Sequence, residues 1–217
     1  MKPQLFAHPF SSYCQKVLIA LYENGTEFEY RSFEEEGVRG EFAALGSLGK
    51  FPVLVDAGRT ILESSTIIEY LGIHHPGPAA LIPADPDAAI EVRMLDRIFD
   101  NYVMDAMQPL VNNMIRPEEH RDPHLAPYVH RTLDKAYAWL DAHLANREWA
   151  AGSAFSLADC AAAPSLFYAD WAYEIPAGYG HLKAYRARLL ARPSFARAVD
   201  EARPFRHYFP LGAPDRD

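Results

Sequence analysis

The chain has 217 residues, 49% of them hydrophobic, enough to bury a core without staples and to divide into a small and a medium domain. With 21 basic and 29 acidic residues its formal charge is −8, which argues against a nucleic-acid backbone as partner, and no apolar run approaches bilayer-crossing length. Cys14 and Cys160 fall in separate predicted helices, too few for a disulfide framework, and the opening MKPQLFAHPF runs straight into strand signals, so a cytoplasmic protein is expected.

Strand and helix signals alternate up to about Gly72. Gln4 to Ala7 reads as a first strand. A helix from Tyr13 to Glu23 follows, with Val17 and Leu21 on its buried face and Asn24-Gly25 as its stop. Phe28, Tyr30 and Ser32 alternate as a second strand, and the weakly patterned stretch from Gly37 to Leu48 holds a short helix. Val53 to Val55 and Thr60 to Leu62 make a hairpin around Asp56-Ala57-Gly58-Arg59. Ser64 or Ser65 then starts a helix with Ile68 and Leu71 inward and Gly72 at its end. The order β-α-β-α-β-β-α packs helices on one small mixed sheet, the order of a thioredoxin-like domain.

The proline- and glycine-rich HHPGPAALIPADP reads as a linker, and strand signals stop after it. The division expected is 1–76 for the thioredoxin-like domain, 77–86 for the linker and 87–217 for an all-helical domain. From Asp87 to about Asn113, Val92, Leu95, Phe99, Tyr102, Val103 and Ala106 recur at helical steps, with Pro109 expected to kink the helix or end it early. A second long helix over Leu125 to Ala145 carries Leu133, Ala136, Tyr137, Leu140 and Leu144. Ser156 with Asp159 three residues on resembles a capping box. Gly178-Tyr179-Gly180 separates that helix from one ending at Arg192-Pro193, and a last helix spans Ser194 to Ala202. The tail after Pro204 shows no periodicity.

No metal site is expected: His74 and His75 are adjacent in the linker, and Pro123 interrupts the spacing of His120 and His124. Three stretches of the first domain carry chemistry instead. Ser11 and Ser12 sit in the turn ahead of the first helix, where unpaired backbone N–H groups favour an anion and a hydroxyl can stabilise a thiolate. Phe51-Pro52 is an X-Pro bond, where a cis peptide is cheap, and a cis bond there turns the Phe51 backbone outward toward an extended peptide ligand. Glu63-Ser64 opens a helix, so that Ser64 can hold an amino acid's carboxylate and Glu63 its ammonium, while Lys50 can pair with a second carboxylate. Each also has a plain reading as turn cap, first-turn acid or surface lysine. Cys14 reads as a buried helix cysteine, since the S-x-x-C spacing lacks the first thiol of a redox pair.

SSYCQKV, GKFPVLVD, ILESSTIIEYL and FSLADCAAAP, in this order and spacing, give the chain a resemblance to the glutathione transferase superfamily over almost its full length. The first piece is similar to the S-x-x-C-x-x-V of serine-type classes such as delta and theta, and the doubled serine resembles the zeta class. Tyr13 stands where those patterns have proline or cysteine, so the class stays unassigned and a further hydroxyl lies near the site. The resemblance implies Ser11 as the catalytic serine with Ser12 as understudy, and Phe51 and Pro52 against the cysteinyl backbone of glutathione. It implies Glu63 and Ser64 at the γ-glutamyl end, Lys50 at the glycyl carboxylate, and folding rather than chemistry for Ser156 and Asp159. The expected activity is thiolate attack on a hydrophobic electrophile lying near Tyr13, Tyr102, Asp105 or Met107, with Trp171 more remote. A homodimer is expected, with no metal, nucleic-acid or membrane partner. Glutathione-dependent isomerisation or dehalogenation, and a non-catalytic binding module on the same fold, are the alternatives.

Overall fold

The structure, a computed structural model, describes residues 2–46 and 48–217. Its first part runs β1 (Gln4–Ala7), α1 (Ser12–Glu23), β2 (Glu29–Ser32), α2 (Val38–Ala44), β3 (Val53–Asp56), β4 (Arg59–Ile61) and α3 (Ser64–His74). The strands form one mixed sheet in the order β2-β1-β3-β4, with β1 parallel to β2 and antiparallel to β3. Side chains alternate across a strand. Leu5 and Ala7 therefore join the large core with α1 and α3, while Phe6 belongs to a separate cluster with Phe33, Val38 and Val53 beside α2. This is a thioredoxin-like domain.

The remainder is helical: α4 (Pro86–Ile98), a π-helical stretch (Phe99–Met104), α5 (Asp105–Ile115), α6 (Leu125–Leu144), α7 (Leu157–Ala172), α8 (Gly180–Leu190) and α9 (Pro193–Ala202). Every residue of α7 from Leu157 to Trp171 is buried, as expected of a helix apolar on all sides, and α7 packs on α1, α4 and the π-helical stretch. Its start is held by the Asp159 carboxylate, which accepts the Ser156 N–H at 2.8 Å, the Ser156 hydroxyl at 2.9 Å, the Ala150 N–H at 2.8 Å and the Tyr185 hydroxyl at 2.6 Å. Among the described residues no helix is long and apolar enough to cross a membrane.

Four details differ from the sequence reading. Helix α1 is buried on more than one face, from Cys14 through Leu21, because it lies between α3 and the helical domain's α7 and α9. Helix α3 runs past Gly72 to His74; a glycine inside a helix costs about 1 kcal/mol but does not by itself end it. The long helix continues through Pro109 to Ile115, and its irregularity lies earlier, where the Asp105 N–H reaches back five residues to the Asp100 carbonyl. The tail after Pro204 is folded: Arg203–Tyr208 is a 3-10 turn, Phe209 is buried, and Arg203 bonds Asp217 at 2.5 Å.

Candidate active site

β1 stops at Ala7 and α1 begins at Ser12, so the connecting turn delivers Ser11 to the helix N-terminus. Ser11 has extended backbone and its N–H donates to the His8 carbonyl at 3.0 Å; its Oγ accepts the Cys14 N–H at 3.4 Å. A hydroxyl that accepts from the helix keeps its own O–H free to donate outward. The turn is braced from behind by Gln15, whose Nε2 donates to the Pro9 carbonyl at 2.9 Å and to the Tyr168 hydroxyl at 3.1 Å; that hydroxyl in turn donates to the Phe10 carbonyl at 2.9 Å.

The Phe51–Pro52 bond is cis, and the Phe51 ring packs against Phe33 at 4.8 Å. Glu63 precedes α3 with φ +67°, a left-handed conformation rare for a side-chain-bearing residue, and Ser64 is the buried first residue of the helix. Residues held this way cost of order 1–3 kcal/mol and cluster where function needs the geometry.

Lys50, Phe51, Pro52, Glu63 and Ser64 all line one cavity of about 190 Å3. Ser11 and Ser12 line its neighbour, a chamber of about 600 Å3 with Met107 and, from the tail, Tyr208, Phe209 and Pro210 on its walls. Tyr13, Lys50, Phe51 and Asp105 border both, so the two form one cleft between the domains, polar at one end and apolar at the other. Tyr102 stands apart from the other expected residues: it is 61% exposed and lines neither cavity. Trp171 is buried behind the cleft against Phe167 at 4.5 Å. The Tyr13 hydroxyl donates to Asp105 Oδ1 at 2.9 Å, and burial followed by that bond pushes its pKa up, so it stays protonated. Complete burial pushes the Cys14 thiol up to about 12, and this sulfur is no thiolate at neutral pH.

Arg97, Asp100 and Asn101 also line the polar cavity, which sequence reasoning missed. Arg97 and Asp100 are fixed by a charge network crossing the domain boundary. Lys16 of α1, only 1% exposed, lies 2.5 Å from Asp96 and 2.7 Å from Asp100 and donates to the Ser65 hydroxyl at 2.9 Å; Arg97 reaches Asp96 and Asp100 at 2.7 Å each. Burial raises the Asp100 pKa, with the Lys16 charge pulling against it. The available signal was Lys16 itself, a lysine inside the apolar run of the first helix, which demands a buried partner.

Family models for the glutathione S-transferase N-terminal and C-terminal domains match residues 5–79 and 99–193. A glutathione S-transferase 1 of Dianthus caryophyllus is 33% identical over 174 residues, covering 76% of this chain and 76% of its own. A stringent starvation protein A homolog of Pasteurella multocida is 27% identical over 92% of this chain and 91% of its own. The crystal structure of a glutathione S-transferase from Methylobacillus flagellatus KT with glutathione bound is 29% identical, covers 91% of this chain and 98% of its own, and superposes with a TM-score of 0.79. With the braced serine turn, the Phe51–Pro52 pair and the Glu63-Ser64 helix start gathered on one cleft, these likenesses give the fold its name: the chain belongs to the glutathione S-transferase family.

Proposed function

We propose that the chain is a glutathione transferase that holds glutathione along the polar cavity and presents its sulfur at Ser11, toward the apolar chamber. The observation carrying this reading is the meeting of two groups of residues: Lys50, Phe51, Pro52, Glu63 and Ser64 line the polar cavity, Ser11 and Ser12 line the chamber, and Tyr13, Lys50, Phe51 and Asp105 border both. Glu63 takes the α-ammonium of glutathione, the hydroxyl and N–H of Ser64 take its α-carboxylate, and Lys50 takes the glycyl carboxylate. A free thiol with pKa near 8.5 is about 3% thiolate at pH 7; a hydroxyl donating to sulfur beside a helix N-terminus, lowering that pKa by about two units, makes thiolate the major form. The thiol proton leaves to water, the thiolate bonds the electrophilic carbon, and the leaving group departs with its electron pair. Lower basicity takes back part of the gain in nucleophile, so holding the electrophile against the chamber wall supplies the rest. Ser11 fits the donor role because its oxygen already accepts from Cys14; Tyr13 fits it less well, its hydroxyl being bonded to Asp105.

The test is conjugation of 1-chloro-2,4-dinitrobenzene. Ser11→Ala is expected to lower kcat/KM by about 10²-fold, the scale of losing one transition-state hydrogen-bond donor, while Cys14→Ala retains turnover. Equal activity in Ser11→Ala and the parent would remove Ser11 from the mechanism. A second reading is a binding module on the same fold, since a relative of similar length, the stringent starvation protein A homolog, carries no transferase in its name. Saturable glutathione binding without turnover across a broad electrophile panel would select it. A homodimer and a cytoplasmic location belong to the proposal as well. Ile90 and Met94 lie exposed one turn apart on α4, and Ile73 lies exposed on α3, the helix joined to α4 through Arg93 and Glu69 at 2.8 Å. Light scattering on the purified protein checks the dimer.

A further inference from the structure

The apolar chamber carries one charge of each sign. Among the described residues lining it, Lys50 and Asp105 alone are ionic. Under the transferase reading, on which this inference rests, Lys50 is engaged by the glycyl carboxylate of glutathione, and Asp105 is left as the one unmatched charge facing the second substrate. Its Oδ1 holds the Tyr13 hydroxyl at 2.9 Å, and among the described residues no basic side chain forms an ion pair with it, Lys16 and Arg97 being taken by Asp96 and Asp100. A carboxylate has about four acceptor positions, so Oδ2 and the rest of Oδ1 remain for a ligand. Gln108 and Asn112 follow on the same side of α5, three and seven residues on, and both line the chamber. The Gln108 amide nitrogen donates to Asn112 Oδ1 at 3.1 Å, which leaves the Gln108 side-chain carbonyl as a further acceptor. Phe10, Met107 and Phe209 make other parts of the lining apolar.

We infer that Asp105 is a specificity-determining residue and that the second substrate is a bulky apolar electrophile carrying a hydrogen-bond donor, best a cationic one such as an ammonium group. An electrophile bearing a carboxylate is disfavoured at the same place. A hydrogen bond to a charged partner is among the stronger ones, but Asp105 is solvent-exposed, which screens it.

The probes are trans-4-aryl-3-buten-2-ones with a para aminomethyl, hydroxymethyl, methyl or carboxylate group. The glutathione thiolate bonds the β-carbon, the double-bond electrons pass to the carbonyl as an enolate, and the enolate takes a proton from water, so no leaving group complicates the comparison. The ammonium compound is expected to exceed the methyl compound about tenfold in kcat/KM and the carboxylate to fall below it by a similar factor. Asp105→Asn brings the ammonium-to-methyl ratio to near one while keeping part of the hydroxymethyl preference, and Asp105→Ala removes both. Tyr13→Phe, which frees Oδ1, leaves the ratio in place or raises it. A ratio near one in the parent, a ratio unchanged in Asp105→Asn, or a collapse in Tyr13→Phe each overturns the assignment. If neither these compounds nor 1-chloro-2,4-dinitrobenzene is turned over, the transferase reading fails on its own. Calorimetric binding of the four preformed glutathione conjugates then gives the same ratios and decides the role of Asp105 separately.

Discussion

At the scale of single residues, Glu63 combines a positive-φ backbone with a place on the lining of the polar cavity. Its φ of +67° is a conformation that glycine adopts freely, so Glu63→Gly relieves backbone strain of about 1 kcal/mol or more. The same change raises the entropy of the unfolded chain and gives back about 0.5–1 kcal/mol. Stability by urea denaturation is therefore expected to stay within about 1 kcal/mol of the parent. Glutathione affinity, measured by calorimetry, should drop about tenfold or more as the partner of the ammonium is lost. Glu63→Ala removes the carboxylate but keeps the strain, and should be the less stable of the two. An affinity unchanged in both variants would take Glu63 out of the site. This residue was legible in the sequence because its signal is local, an acid directly before a helix start. Ser11, Phe51 and Pro52 were legible for the same reason, each being set by a turn, a cap or an X-Pro bond within a few positions. Arg97, Asp100 and Asn101 were not, since they reach the cavity from an element more than thirty positions beyond Ser64.

At the scale of elements, the π-helical stretch explains why the facing of the long helix was misread. Steps of four residues drift by roughly 40° each in an α-helix. Leu95, Phe99, Val103 and Met107 nevertheless all remain buried, because the wider turn between Phe99 and Met104 takes up the drift. Tyr102, which a regular helix would place at the edge of the buried stripe, is turned outward by the same wide turn. The sequence carries no mark of this: Pro109, its one visible irregularity, lies a turn beyond. The start of α7 was readable, but as a capping pair only. Asp159 also gathers Ala150 and Tyr185, so it ties the preceding loop and α8 to the central helix. Asp159→Ala leaves those buried donors without an acceptor and should cost about 3–5 kcal/mol in urea denaturation, well above the roughly 1 kcal/mol of an ordinary cap. Asp159→Asn keeps the shape and part of the bonding, and an equal loss in both variants would mean that charge rather than hydrogen bonding sustains the junction.

At the scale of the whole molecule, the two domains share one core and one buried charge network, and the cleft exists only where they meet. Lys16 comes from the thioredoxin-like domain and Asp96, Arg97 and Asp100 from the helical one, so the network is itself a domain contact. Two cations face two carboxylates there. Lys16→Met leaves a carboxylate uncompensated in the interior, and such a loss typically costs about 3–5 kcal/mol, whereas removing a whole buried pair is often close to neutral. The double variant Lys16→Met with Asp100→Asn keeps Arg97 against Asp96 and should recover most of that loss. A double-mutant cycle from urea denaturation, with both singles and the double, isolates the coupling at a few kcal/mol. Because Asp100 also lines the polar cavity, glutathione affinity in the double should remain below that of the parent even where stability returns. Recovery of both together would mean that the network serves folding alone, and a double variant no more stable than Lys16→Met would mean that the lysine acts through its packed stem rather than its charge.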